Sequence, residues 1–190
     1  MMGVSMSVED MRRLALLVEN AGSVDMETLR MVRNFLEPLW GAWKTSRRSG
    51  WENRERVALG MCRFTAAFLK PILDEMTGHK WSVVAGFADF HLLDPGWDKK
   101  NGRPATAFAA EDGVGGMIDK NGKWHDHYWL TDGATIIDLT ADQFGWEPVI
   151  VTPVTDDRYL VNWKPSMVKQ HLKDVSQRAA EWREKWENAR

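Results

Sequence analysis

His127-Tyr128-Trp129-Leu130-Thr131-Asp132-Gly133-Ala134-Thr135-Ile136-Ile137-Asp138 is the stretch whose reading decides the fold. Asp132-Gly133 is a strong two-residue turn signal, because a type I′ turn needs positive φ at both central residues. A symmetric hairpin about that dipeptide sets Thr131 opposite Ala134, Trp129 opposite Ile136 and His127 opposite Asp138. Directly opposed residues share a sheet face with Cβ atoms about 4.5–5.5 Å apart, so this imidazole and this carboxylate can hydrogen-bond. The carboxylate then fixes the ring tautomer and stabilises the imidazolium when it forms. A slip of one residue would turn Asp138 to the other face and destroy the pair.

Outward from the hairpin, the two halves of the chain differ in period. Residues 7–76 carry apolar residues at helical spacing. Ser7 with Asp10 opens a first helix whose stripe is Met11, Leu14, Leu17 and Val18, and Gly22-Ser23 breaks it. A second helix turns Met26, Leu29, Val32, Leu36 and Leu39 inward. A third region covers residues 52–76, divided at Gly60 and kinked at Pro71. After Gly78 the pattern becomes strand-like: residues 81–87, 124–139, 149–154 and 159–163 read as strands. Residues 93–121, rich in Gly and Pro, form a long irregular excursion of the kind that often carries function. Pro165 opens a last helix with Met167, Val168, Leu172 and Val175 as its contact face. Trp182 and Trp186 extend an aromatic stripe that packs on the domain.

The expected architecture is a single α+β domain over residues 1–190. Residues 1–50 are a helical N-terminal extension, 51–163 the core with its antiparallel sheet, and 164–190 the C-terminal helix. A chain of 190 residues, 44% hydrophobic and 27% charged, can bury such a core without cross-links. A net charge of -2 provides no global field to gather nucleic acid or an anionic membrane, and neither is expected as a partner. Eleven tryptophans point to a large aromatic core, a binding surface, or both. The single cysteine excludes an internal disulfide and gives no sign of secretion. Residues 1–13 lack the features of a signal peptide, so the expected location is cytoplasmic.

Cys62 shares a helical stripe with Ala66, Leu69 and Leu73, so its thiol points toward whatever that helix packs on. If that partner is the sheet face bearing His127, nucleophile and base meet. A helix N-terminus at the Gly60 break, together with an imidazolium, would favour the thiolate. Free cysteine is among the most buried residue types, and inert packing is the competing explanation. His125 and His127 share a strand face and His91 lies upstream, but no helical ligand pair accompanies them, so no metal and no cofactor is expected. Thr140 and Gln143 fit a capping box for a short turn that Gly145 ends.

Gly60-Met61-Cys62 at the start of an Ala/Leu-rich helix, followed by an apolar strand ending in Gly86, resembles the core of transglutaminase-like cysteine proteins, relatives of papain. In that family a His-x-Trp strand is followed by a Gly turn and Ile-Asp. Here His127-Tyr128-Trp129, Gly133 and Ile136-Ile137-Asp138 stand in those places. The resemblance spans residues 62 to about 153, and residues 137–145 are similar to a block in uncharacterised bacterial and phage proteins of this type. It implies a papain/transglutaminase-like core with Cys62 as nucleophile, His127 as general base and acid, and Asp138 as its orienting partner. The implied reaction is acyl transfer on a protein or peptide: peptidase, amidase or deamidase with water, cross-linking with an amine. The Cys62 backbone N–H is the natural first oxyanion donor, and Asn53 or Trp51 the second. Trp129 and Gln143 are further candidates for lining a substrate. The alternative is a non-catalytic binding or inhibitor protein on the same scaffold, using a Trp-rich surface.

Overall fold

The structure is a computed structural model and describes residues 24–46, 57–88 and 115–189. The helix expected from Ser7, Trp51, Asn53, His91 and most of the Gly/Pro-rich excursion lie outside those residues. Within them the chain is mixed α+β, with helices on antiparallel sheets. No helix among the described residues is long and apolar enough to cross a membrane.

Helix α1 (Met26–Ser46) starts where Asp25 accepts the backbone N–H groups of Glu27 and Thr28 and the Thr28 hydroxyl, a side-chain cap for otherwise unpaired donors. Leu29, Val32 and Leu36 are buried as expected, but so are Arg33 and Trp40. Helix α2 (Cys62–Thr77) begins two residues after Gly60 and runs through Pro71. Helix α3 (Pro165–Ala189) packs beside it. Val168 and Val175 of the expected face are buried, and the buried stripe continues through Ala179 and Trp182. Trp182 lies 5.7 Å from the Phe64 ring and Trp186 lies edge-on to Phe35 at 5.1 Å, so the aromatic stripe does pack on the domain.

The main sheet orders its strands β1 (Ser82–Gly86), β4 (His127–Thr131), β5 (Thr135–Asp138) and β6 (Ile150–Pro153), all antiparallel. A smaller sheet joins β3 (Trp124–His125), β2 (Gly116–Ile118) and β7 (Tyr159–Leu160). Strand β2 occupies the end of the expected irregular excursion. The expected continuous strand from Trp124 is divided at Asp126, so His125 and His127 belong to different sheets rather than to one strand face.

The hairpin register also differs from the expected one. Leu130 pairs with Ile137 and Thr131 with Ile136, so the turn is wider than the two residues Asp132-Gly133. Asp132 explains this: its Oδ1 accepts the N–H groups of both Ala134 and Thr135, while Thr131 Oγ1 accepts that of Gly133. Side chains thus satisfy donors that a tight turn would have bonded across the strands. The register moves by two residues, an even number, and every side chain keeps its face. His127 and Asp138 become diagonal rather than directly opposed neighbours, still within reach of long side chains.

Each face of the main sheet has its own core. Leu130 and Ile137 join the cluster formed by α1, α2 and α3, with Tyr128 packed at its margin. On the other face Trp129 and Ile136 meet Met117, Phe144 and Tyr159 from the smaller sheet and the turn after β5. The two sheets touch backbone to backbone. A Cβ at Gly86 would overlap the Gly116 backbone and the Leu160 carbonyl, and one at Gly116, where φ is 89°, would overlap the His125 carbonyl. Gly86 pairs with His127, so this crossing also fixes the site end of β4. Gly86→Ala is expected to lower the unfolding free energy by about 1–3 kcal/mol in urea titrations, as overpacking of a rigid contact does. A change within about 0.5 kcal/mol, the scale of an ordinary surface substitution, would show that the crossing can yield.

Candidate active site

His127 is the first residue of β4 and is fully buried; Asp138 is the last of β5 and 2% exposed. The His127 Nε2 to Asp138 Oδ2 distance is 2.7 Å. An ionised carboxylate can only accept, which assigns the proton to Nε2. Asp138 accepts three further bonds: Oδ1 from the Thr140 N–H (2.8 Å) and hydroxyl (2.9 Å), and Oδ2 from the Tyr159 hydroxyl (3.1 Å). Each of these donors favours the charged carboxylate. The ring is held by its neighbours, parallel to Trp129 with centroids 5.9 Å apart and edge-on to Phe144 at 4.9 Å.

The other ring nitrogen, Nδ1, is buried and has no hydrogen-bond partner among the described residues, the Cys62 sulfur included. Cys62 is its neighbour in charge. Burial works against the imidazolium, but the Asp138 carboxylate by charge and hydrogen bond, and then Cys62, hold the His127 pKa up at about 10. Burial likewise opposes the Asp138 charge, yet the imidazolium and the two Thr140 donors keep the carboxyl below its ordinary range. Burial, followed by the charge of Asp138, pushes the Tyr159 hydroxyl strongly upward, so it remains a donor.

The nucleophile candidate comes to the base by a different route from the one the periodicity suggests. Helix α2 packs on the Leu130/Ile137 face, opposite the face that carries His127. Ala66, Leu69 and Leu73 continue the Cys62 stripe into that core. Cys62 itself, as the first residue of the helix, stands at the end of the sheet, half-buried, beside the last residue of β1 and the start of β4. Any approach of Cys62 to His127 runs around the end of the sheet, not across a packed face. The thiol opens onto a cleft of about 610 Å³ whose walls include Arg63, His125, Tyr128, Gln143 and Trp163. His127 is not among those walls and exposes no surface.

The structure therefore bonds His127 to Asp138 and sets Cys62 at the same end of the sheet. Trp129, expected to line a substrate, is 2% exposed in the core below His127, because the smaller sheet covers that face. Gln143 does reach the cleft. It lies in the 3-10 turn Ala141–Phe144, where its Oε1 accepts the Gly60 N–H (3.3 Å) and its Nε2 donates to the Thr140 carbonyl (2.9 Å). It thereby ties the turn to the chain just before Cys62. The expected capping box does not form: the Thr140 hydroxyl donates to Asp138, and the Gln143 side chain bonds the Thr140 carbonyl instead of its N–H. Trp51 and Asn53 lie outside the described residues. His125 pairs with Asp119 at 2.9 Å on the cleft rim, and this hydrogen bond is the largest reason the Asp119 pKa falls to about 2.

Two supporting residues escape a motif reading. Tyr159 comes from the smaller sheet, and no local pattern links it to Asp138. Thr140 could have been found, since Asp-x-Thr is the spacing at which an aspartate bonds the backbone and hydroxyl two residues on. No family model, curated protein or solved structure matches this chain.

Proposed function

We propose that this protein is a cysteine-dependent acyl-transfer enzyme, a peptidase, amidase or deamidase acting on a protein or peptide. Its core is read as resembling the transglutaminase-like relatives of papain. The observation that carries the reading is the buried imidazole of His127, held at Nε2 by Asp138 and unbonded at Nδ1, in the strand start whose neighbours Asp126 and Tyr128 line one cleft with Cys62.

The chemistry follows from that arrangement. Nδ1 holds the thiol proton, and Sγ attacks a substrate carbonyl carbon, forming the C–S bond as the carbonyl electrons move to oxygen. The Cys62 N–H belongs to the first turn of a helix and lacks an intrahelical acceptor, which leaves it able to donate to that oxyanion. As the oxyanion collapses, the C–N bond breaks and Nδ1–H protonates the departing amine. Water then gives its proton to Nδ1, attacks the thioester carbonyl and releases the thiol. Asp138 stays ionised throughout and stabilises each imidazolium.

One observation favours a second reading, a binding protein with an inert cysteine: His127 exposes no surface. Alkylation separates the two. Iodoacetamide at pH 6 is expected to label Cys62 at least about tenfold faster in the parent than in His127→Gln, because the thiolate is the reacting species. Circular dichroism would confirm that both are folded. Equal rates, or no labelling of the folded parent, would sink the enzyme reading and leave the binding one.

A further inference from the structure

The charge of the cleft narrows the substrate. Resting on the cysteine-enzyme reading, we infer that the site takes acidic peptides, with a substrate carboxylate close to the carbonyl that Cys62 attacks and held by Arg63 and Lys123.

Three observations carry this. First, Arg63 and Lys123 both line the cleft that Cys62 opens onto, and among the described residues neither has a hydrogen bond or ion pair through its side chain. Arg63 is only partly exposed, and a guanidinium in such a place without a carboxylate is a fork-shaped site for one. Second, the other titratable groups of the cleft offset only part of this charge, Asp126 against the two cations. His125 is bound to Asp119, and His171 Nδ1 lies 3.2 Å from the Tyr128 hydroxyl. Asp126, the carboxylate among the cleft walls, has one oxygen committed to the Ala88 N–H at 2.8 Å. Third, Arg63 works against its own helix. It stands in the first turn of α2, where the backbone dipole already presents positive charge, and that turn contains neither an acidic residue nor a side-chain cap. A basic residue placed where it weakens its element is expected at a functional site. Arg63 and Cys62 both act on the Tyr128 hydroxyl, the first pulling its pKa down and the second pushing it up against a background of burial. The guanidinium is thus within charge reach of the place where a carbonyl would be attacked.

Two alkylating reagents of nearly equal size test this. Iodoacetate carries a carboxylate on the carbon under attack, and iodoacetamide carries a neutral amide there. The ratio of their rate constants at Cys62, divided by the ratio for a small free thiol, is expected to be about three to ten, the scale of attraction between partly solvated charges. Arg63→Gln and Lys123→Gln together should return it to about one. Raising the salt to 1 M should also compress it. The ratio divides out any influence of these cations on the thiol itself. A normalised ratio of one or below in the parent, or a raised ratio that survives both substitutions, would overturn the inference. A slow, His127-independent reaction with iodoacetamide would instead overturn the enzyme reading. The ratio remains measurable on a slow thiol, so the two claims fall separately.

Discussion

Asp138→Ala lowers the unfolding free energy by about 3–5 kcal/mol, the cost of breaking a buried ion pair from one side. The size follows from what is left behind. The imidazole loses its acceptor in a site with no exposure, and the Thr140 and Tyr159 hydroxyls and the Thr140 N–H lose theirs together. The pH dependence makes the prediction specific. The folded pKa of His127 lies above its ordinary 6.5, at about 10, so its contribution is complete below 6.5 and is lost as pH rises through about 10. That of Asp138 lies below its ordinary 3.8, so its contribution is complete above 3.8 and is lost as pH falls through the lower value. Thermal midpoints of the parent should therefore fall steadily from about pH 6.5 to 10. In Asp138→Ala burial governs the ring and holds its pKa below 6.5, so the midpoint should rise with pH only up to about 6.5 and lose the parent's fall from 6.5 to 10. A parent profile flat from pH 6.5 to 10, or the same slope in both proteins, would show that the pair does not share a charge.

Asp138→Asn divides orientation from stability. The amide can still accept from Thr140, so the stability loss should be smaller, about 1–2 kcal/mol. Its NH₂ group, however, faces Nε2 as a donor and drives the ring proton to Nδ1, where a general base needs its lone pair. Labelling of Cys62 at pH 6 should then fall nearly as far as in His127→Gln. A variant that keeps its labelling rate would make Asp138 a purely structural partner.

The His127–Asp138 pair was legible in the sequence although the turn was misread, and the reason is parity. Strand faces alternate with period two, so an error of two residues in register leaves the contact standing. The same tolerance does not extend to Cys62. Its stripe with Ala66, Leu69 and Leu73 correctly names the buried side of α2, but that side covers the wrong face of the sheet for His127. Only the placement of the first helical residue at the sheet end turns Cys62 toward the end of β4, and periodicity carries no information about where an element ends in space. Strand β2 was hidden for a related reason: three residues, Gly116–Ile118, are too few to display any period. Helices α1 and α3 were readable because several turns of each bury one stripe.

Arg33 is the plainest signal left unread. It lies on the α1 stripe, four residues after Leu29, three before Leu36 and seven before Trp40, all of them fully buried. A charge at such a position must find partners, and Arg33, 4% exposed, uses its whole fork. Nε donates to Glu37 (2.8 Å), Nη2 to Asp142 Oδ2 (2.8 Å), and Nη1 to Asp142 Oδ1 (2.9 Å), the Pro148 carbonyl (3.0 Å) and the Leu139 carbonyl. The guanidinium also lies 4.9 Å from the Trp40 ring centroid. This one side chain bolts α1 to residues 139–148, the segment that presents Thr140 to Asp138 and Gln143 to Gly60.

Arg33→Met keeps the volume and removes the donors, and it should cost about 3–5 kcal/mol in urea titrations. Arg33→Lys keeps the charge but offers a point in place of a fork, so it should recover only part of that loss. Asp142→Leu on the Arg33→Met background tells which partners matter. Removing the stranded carboxylate should return some stability, as replacement of a buried pair by apolar groups often does. The Leu139 and Pro148 carbonyls would remain unbonded and hold back the rest. Full recovery in the double variant would mean that the carboxylate alone anchors the segment. A cost below about 1 kcal/mol for Arg33→Met, within the range of a surface ion pair, would mean that the segment keeps its place without the bolt.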